Sequence, residues 1–317
     1  VADAARPDGG KAVTRLVIAT RRSRLALWQA GYVKQRLEQH HAGLAVELLA
    51  LSTRGDEMLD ARLDKAGGKG LFIKELEAAL ADGRADLAVH SMKDLPAALA
   101  PGFELAAIPA RDDPRDAFLS SRYARLEELP AGASVGTSSL RRAAQLAARR
   151  PGLRIATLRG NVETRLAKLE RGQFDAIVLA AAGLKRLGLE QRIRAYLSVE
   201  ECVPAAGQGA LGVECLAERR DAAALAAPLA DPQADACVRA ERAVSRALGG
   251  DCTVPLGAYA EPDRGRLRLR AVVATPDGAR LARVDCEGDA SDPEALGERA
   301  ALELHRRGAR EILGLPG

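Results

Sequence analysis

The sequence predicts an α/β protein: two similar strand–helix units in series with a cleft between them, followed by a small α+β domain with an antiparallel three-stranded sheet. Three observations carry this reading. Strand and helix patterns alternate from Leu16 to Ala180, as a mostly parallel sheet requires. The pattern breaks once, at Pro109-Ala110-Arg111-Asp112-Asp113-Pro114, as a linker would. From about Asp231 the style changes to one helix, three strands and a last helix.

In order, Leu16-Val17-Ile18-Ala19 reads as a strand, and a helix begins near Ser23 with Ala26, Ala30, Val33 and Leu37 on one face. Val46 to Leu51 is a second strand. The loop Lys65-Ala66-Gly67-Gly68-Lys69-Gly70 leads into a helix with Phe72, Leu76, Ala79 and Leu80 along one side. A short apolar strand then ends at Lys93-Asp94, where Leu95-Pro96 turns the chain away. After the linker come strands at Ala117–Ser120 and near Val135, a helix over 139–149, a strand Arg154–Leu158, a helix over 162–171 and a strand Asp175–Ala180. The last part holds a helix with Ala236, Ala240, Val244 and Leu248, strands at 253–260, 266–274 and 279–286, and a helix from Pro293 to Leu313.

Composition narrows the function. The chain has 317 residues, 47% hydrophobic and 28% charged, enough for two or three domains with real cores. Aromatic residues make up 3% and net charge is +4, which together argue against a nucleic-acid binder. The start, Val1 to Arg15, has no apolar signal-peptide core, no stretch approaches a membrane span, and Pro7, Gly9 and Gly10 suggest a loose tail. Five cysteines without a Cys-x-x-Cys pair, beside four histidines, predict no metal cluster and a reducing, cytoplasmic compartment.

Arginines stand where helices begin. Thr20-Arg21-Arg22-Ser23, Gly136-Thr137-Ser138-Ser139-Leu140-Arg141-Arg142 and Leu158-Arg159-Gly160-Asn161, with Arg165 a turn later, each follow a strand and open a helix. A helix N-terminus repels cations, so an isolated arginine there is no more than a solvated side chain. Three repeats at equivalent places, with backbone N–H and Ser/Thr/Asn groups beside them, form anion sites instead. The ligand would carry several carboxylates or phosphates. Gly67-Gly68-Lys69-Gly70 does not fit the phosphate-loop pattern and serves equally as a hinge or lid.

Asp94 is the candidate catalytic group, since strand carboxyl ends are where α/β sheets bind ligands. Lys93 beside it favours the ionised carboxylate. Cys252, in Gly249-Gly250-Asp251-Cys252-Thr253-Val254-Pro255, lies in a glycine-rich turn open to close backbone approach, and is a nucleophile or an attachment point. Cys237 and Cys286 read as buried apolar residues, while Cys202 and Cys215 carry no signal.

Seven strings in order resemble the porphobilinogen deaminase (hydroxymethylbilane synthase) family over nearly the whole chain. They are Ile18–Arg21 with Leu25–Ala30, Gly67–Phe72, Val89–Asp94, Gly136–Arg142, Leu158–Asn161, Pro204–Ala210 and Gly250–Pro255. The resemblance implies two periplasmic-binding-protein-like lobes and a third domain, with the chain crossing back into the first lobe after Gln208. The implied domains are 1–110 with 205–228, 111–204 and 229–317. It further implies a dipyrromethane cofactor joined to Cys252 through a thioether, and head-to-tail condensation of four porphobilinogen molecules with loss of ammonia. Water then releases hydroxymethylbilane. A monomer is expected, with no nucleic-acid or membrane partner.

By the same resemblance, Arg21, Arg141, Arg142, Arg159, Arg165 and Arg186 clamp the substrate's carboxylates. Ser23, Gln29, Lys69, Ser91, Lys93, Thr137, Ser139 and Gln208 add polar contacts. Phe72 either stacks on a pyrrole or fills the core. Two positions depart from the family: Val17 replaces an arginine, with Arg15 on the same strand face, and Asp251 stands where glycine is common. The rival reading is a two-lobed, non-enzymatic binder of a polycarboxylate, which leaves Cys252 without a role.

Overall fold

The computed structural model describes residues 15–52, 73–249 and 254–314. The first sheet opens with β1 (Arg15–Arg21), β2 (Ala45–Leu51) and β3 (Leu87–Ser91), paired in parallel with β1 in the middle. Strand β4 (Phe103–Ala107) lies at the far edge. The second sheet repeats the plan with β5 (Asp116–Leu119), β6 (Ser134–Gly136), β7 (Arg154–Ala156), β8 (Ala176–Ala180) and β9 (Ala195–Leu197), in the order β7-β6-β8-β5-β9. Strand β10 (Leu211–Leu216) returns to the first sheet, giving β2-β1-β3-β10-β4. In each sheet the fourth strand is antiparallel to its neighbours, and the chain reaches it directly from the other sheet.

The two crossing segments lie side by side. Asp112 N donates to Gly209 O at 3.2 Å and Arg111 Nε to Gln208 O at 2.9 Å. Gly209 has φ +89°, and a Cβ there would collide with the Asp112 carbonyl, so only glycine lets the strands approach this closely.

Helix α1 (Arg24–His40) is capped by Ser23 and buries Ala26, Gln29, Ala30, Val33 and Leu37, the predicted stripe plus one polar residue. Helix α2 (Lys74–Ala81) buries Leu76, Ala79 and Leu80. The second sheet carries α3 (Leu140–Arg149), α4 (Val162–Glu170) and α5 (Ala181–Arg186). A short α6 (Arg220–Ala226) precedes α7 (Pro232–Ala247). In the last region, β11 (Leu256–Asp263), β12 (Arg266–Ala274) and β13 (Leu281–Asp289) form the expected antiparallel sheet. Helices α7 and α8 (Pro293–Arg306) share a core with it that includes Ala240, Val244, Leu269, Ala300 and Leu304.

Strands β4, β9 and β10 and helices α5 and α6 stand where no element was expected, and two expected elements are interrupted. The last helix is broken: Gly308, at φ +88°, ends α8 and a separate α9 (Ala309–Leu313) follows, because the left-handed residue cannot continue the helix. The strand leading to Asp94 stops at Ser91, and Met92–Asp94 form a 3-10 turn.

Candidate active site

The 3-10 turn explains how a buried strand presents a carboxylate. Met92 N donates to Ala210 O at 3.0 Å, and Leu95 N closes the turn onto Met92 O at 3.2 Å. Met92 and Leu95 point inward, at 1% and 7% exposure, so the two residues between them are turned out. Lys93 is partly buried and Asp94 is exposed. Gly207 and Gly212 make room for Met92: a Cβ on Gly207 would lie 2.6 Å from Met92 Cβ, and one on Gly212 would collide with Met92 Sδ.

The second sheet supplies the cations. Ser139 caps α3, its Oγ accepting from Arg142 N at 3.4 Å, and Thr137 Oγ1 accepts from Ser139 N at 3.2 Å. Arg141 and Arg142 leave this helix end buried, and both meet Asp116, the first residue of β5. Arg141 Nη1 and Nη2 donate to Asp116 at 2.8 and 3.2 Å, and Arg142 Nε at 2.8 Å. Gln208 Nε2 donates to the same carboxylate at 2.8 Å, while its Oε1 accepts from Arg142 Nη2 at 3.3 Å. Burial pulls the Asp116 carboxyl upward, but Arg141 and Arg142 outweigh it and hold it well below the usual carboxylate range.

This centre differs from the expectation of arginines ringing a helix end. Arg141 turns inward, with Nη1 also donating to Val203 O at 2.7 Å, so its terminal nitrogens are already engaged. Cys202 Sγ donates to Asp116 at 3.2 Å, and burial, then Asp116, push its thiol up to about 12, so it stays protonated.

Lys93, Asp94, Arg142 and Arg165 act on one another across the junction of the two sheets. Burial, then Arg142, lowers Lys93 to about 8, with Asp94 and Asp116 opposing. Burial, then Arg142, lowers Arg165 to about 10, with Asp94 opposing. Asp94 thus acts on one cation from each lobe, Lys93 and Arg165, and Arg142 acts on both of them. Their mutual repulsion is the electrostatic mark of a site made for anions.

The other predicted residues divide. Gln29 is buried and its Nε2 donates to Ser91 Oγ at 2.9 Å, which ties α1 to the end of β3. Ser23 Oγ accepts from Ala26 N at 3.2 Å. Arg21 is partly buried at the end of β1, Arg159 is partly buried in the loop between β7 and α4, and Arg165 Nε donates to Gly160 O at 2.7 Å. Arg186 is buried at the crossing, donating to Gly209 O at 2.6 Å and facing Asp112 at 3.4 Å. Arg15 pairs with Glu47 at 2.7 Å, at the opposite end of β1 from Arg21. Lys69, Phe72, Asp251 and Cys252 lie outside the described residues, as do the tail before Arg15 and the loop at 65–70.

Asp116 escaped sequence reasoning. An acid beginning a strand reads as solvent-facing, yet adjacent arginines on a helix with no acid in its first turn were a signal that a carboxylate must come from elsewhere. Glu241 escaped too. It is fully buried on α7, accepts from Gly207 N at 2.6 Å and Ala260 N at 2.8 Å, and pairs with Arg111 at 2.6 Å.

Fold and site together define a two-lobed α/β protein with cations from both lobes in electrostatic reach of the exposed Asp94. A family model described as "Porphobilinogen deaminase, dipyromethane cofactor binding domain" matches residues 16–224, and "Porphobilinogen deaminase, C-terminal domain" matches residues 236–306. The porphobilinogen deaminase of Thiobacillus denitrificans is 62% identical over 298 residues, covering 94% of this chain and 97% of that protein. That of Bordetella parapertussis is 58% identical over 302 residues, covering 95% and 96%. The chain belongs to the porphobilinogen deaminase family. Among solved structures, the methionine binding protein MetQ aligns at 12% identity with a TM-score of 0.45, over 69% of this chain and 90% of that one.

Proposed function

We propose that Asp94 is the catalytic carboxylate of this porphobilinogen deaminase, and that the cations around it hold the carboxylates of cofactor and substrate. The observation that carries this reading is that the exposed Asp94, on the turn after β3, is within electrostatic reach of Lys93 beside it and of Arg165 from the other lobe. The enzyme condenses four porphobilinogen molecules head to tail, loses ammonia at each step, and releases hydroxymethylbilane with water. A dipyrromethane carries four carboxylates, and the excess positive charge at the junction suits such a polyanion. When bound, it would supply the free pyrrole carbon onto which the first unit is added.

The roles of the chain's own residues follow from charge and position. Loss of ammonia leaves the incoming pyrrole cationic, and Asp94 stabilises that charge through the ring N–H. The same carboxylate assists proton transfer to the departing amine and from the coupled ring. Lys93, Arg142 and Arg165 bind acetate and propionate groups, with Arg21 and Arg159 adding positive charge and Arg186 held at the crossing by Gly209 O and Asp112. Arg142 lies in one buried cluster with Arg141, Gln208 and Asp116, its Nη1 also donating to Val178 O at 3.3 Å. Ser23, Thr137 and Ser139 set the helix ends, and Gln29 fixes Ser91. Lys69 and Phe72 add contacts from the 65–72 segment. Cys252 is the thioether attachment point.

The reading divides the chain into 1–110 with 205–228, 111–204 and 229–317, as a cytoplasmic monomer. The paired crossings of the first two units support that division. Among the described residues, no helix is long and apolar enough to cross a membrane.

The intact mass of the purified protein tests the attachment. The expected result is an excess equal to two linked pyrrole units, absent in Cys252→Ser. A bare-chain mass in active enzyme refutes it.

A further inference from the structure

Helix α7 holds the Asp94 turn at two places. Its Ala234 and Val238 share a buried apolar cluster with Met92 and Leu95, the residues flanking Lys93 and Asp94. One turn after Val238, Arg242 is 7% exposed, and its Nη2 donates to Pro96 O at 2.7 Å and Ala97 O at 3.2 Å. Arg246, a turn further on, reaches Ala97 O at 3.5 Å.

Arg242 is an unusual residue to bury. Among the described residues it forms no ion pair, and its hydrogen bonds go only to those two carbonyls. Burial, then Arg246, lowers its pKa to about 10, and Glu214 on β10 opposes them at longer range. A buried cation without a paired carboxylate costs stability that an apolar side chain would avoid. The carbonyl contacts follow Asp94 directly in sequence, so this cost is spent at the catalytic turn. The same helix ends at Ala247, a few residues before Cys252.

We propose that Arg242 is a positioning residue: by gripping the Pro96 and Ala97 carbonyls it locks the Asp94 turn to α7 and sets the direction in which Asp94 stands. The apolar contacts of Val238 and Ala234 fix the depth of the turn, and the guanidinium fixes its direction. This rests on the reading that Asp94 is catalytic and Cys252 the attachment point.

The test uses full-length holoenzyme carrying Arg242→Met, Arg242→Lys or Asp94→Asn beside the wild type. Intact mass gives the holo fraction, thermal unfolding the stability, and porphobilinogen consumption kcat and KM per holo molecule. Arg242→Met is expected to lower kcat about 10- to 100-fold, the scale of a small misplacement of a catalytic group, with KM little changed. Arg242→Lys recovers part of that loss, since an ammonium can still reach a carbonyl. If Arg242→Met does not fold, Arg242→Gln takes its place under the same criterion. A purely structural role moves the melting temperature and the holo fraction but leaves kcat per holo molecule unchanged, and that result overturns the proposal. Normal turnover in Asp94→Asn overturns the underlying reading and the proposal together. Unchanged kcat in the Arg242 variants beside an inactive Asp94→Asn overturns the proposal alone.

Discussion

Lys93 and Arg165 are weakened as acids' partners for the same reasons, burial and the neighbouring Arg142, and this has a consequence for pH. Lys93 binds an anion only while protonated. With its folded value near 8, the charge is present below that pH and lost above it. For the free enzyme, kcat/KM should therefore fall as pH rises through about 8. Bound carboxylates raise the value, so the fall in kcat should come at higher pH. In Lys93→Arg the limb near 8 should disappear, as a pH–rate profile would reveal. The same group acts on stability with opposite sign. Between about 8 and the ordinary 10.5 the unfolded chain holds more protons, so this contribution to stability rises with pH. At this scale Asp94 was legible in the sequence, because an apolar run ending in Lys-Asp needs only local pattern. Asp116 was not: its burial depends on pairing with arginines 25 and 26 positions away, which only the folded sheet brings together.

The 3-10 turn shows how an element turns sequence into position. Met92 and Leu95 anchor it, and Gly207 and Gly212 leave the space in which Met92 sits. Gly207→Ala places a methyl group against Met92 at a residue with φ +72°. It should destabilise the protein by about 1–3 kcal/mol and lower turnover, through overpacking and backbone strain. Denaturant unfolding and steady-state kinetics on the same preparation check both. Periodicity found α1, α2 and the central strands of both sheets, since each is a regular run of buried residues. It read β3 as running to Asp94, because a 3-10 turn continues a strand without any change of composition. It joined α8 to α9, since the apolar spacing continues past Gly308 and only the backbone sign breaks the helix. The fourth strand of the first sheet, β10, went unread as a strand because nothing local marks where it inserts.

For the whole molecule, three parts meet at one buried ion pair. Arg111 in the first crossing donates to Glu241 on α7 at 2.6 and 3.2 Å, and Glu241 also accepts from Gly207 in the second crossing and from Ala260 in the last sheet. Arg111→Met leaves Glu241 buried without its cation, which should cost about 3–5 kcal/mol. The loss should appear as a lower melting temperature. Linear reading located the first crossing by its prolines and charges and separated two α/β units from a last α+β region, but the second crossing became legible only through family resemblance, as did the return of 205–228 to the first unit. Asp94, within electrostatic reach of cations from both lobes, carries the proposed chemistry. Its role is decided by the turnover of porphobilinogen in Asp94→Asn, measured per cofactor-loaded molecule at unchanged melting temperature. Loss of most turnover in a folded, loaded enzyme is the expected result; a rate near that of the wild type rules the role out.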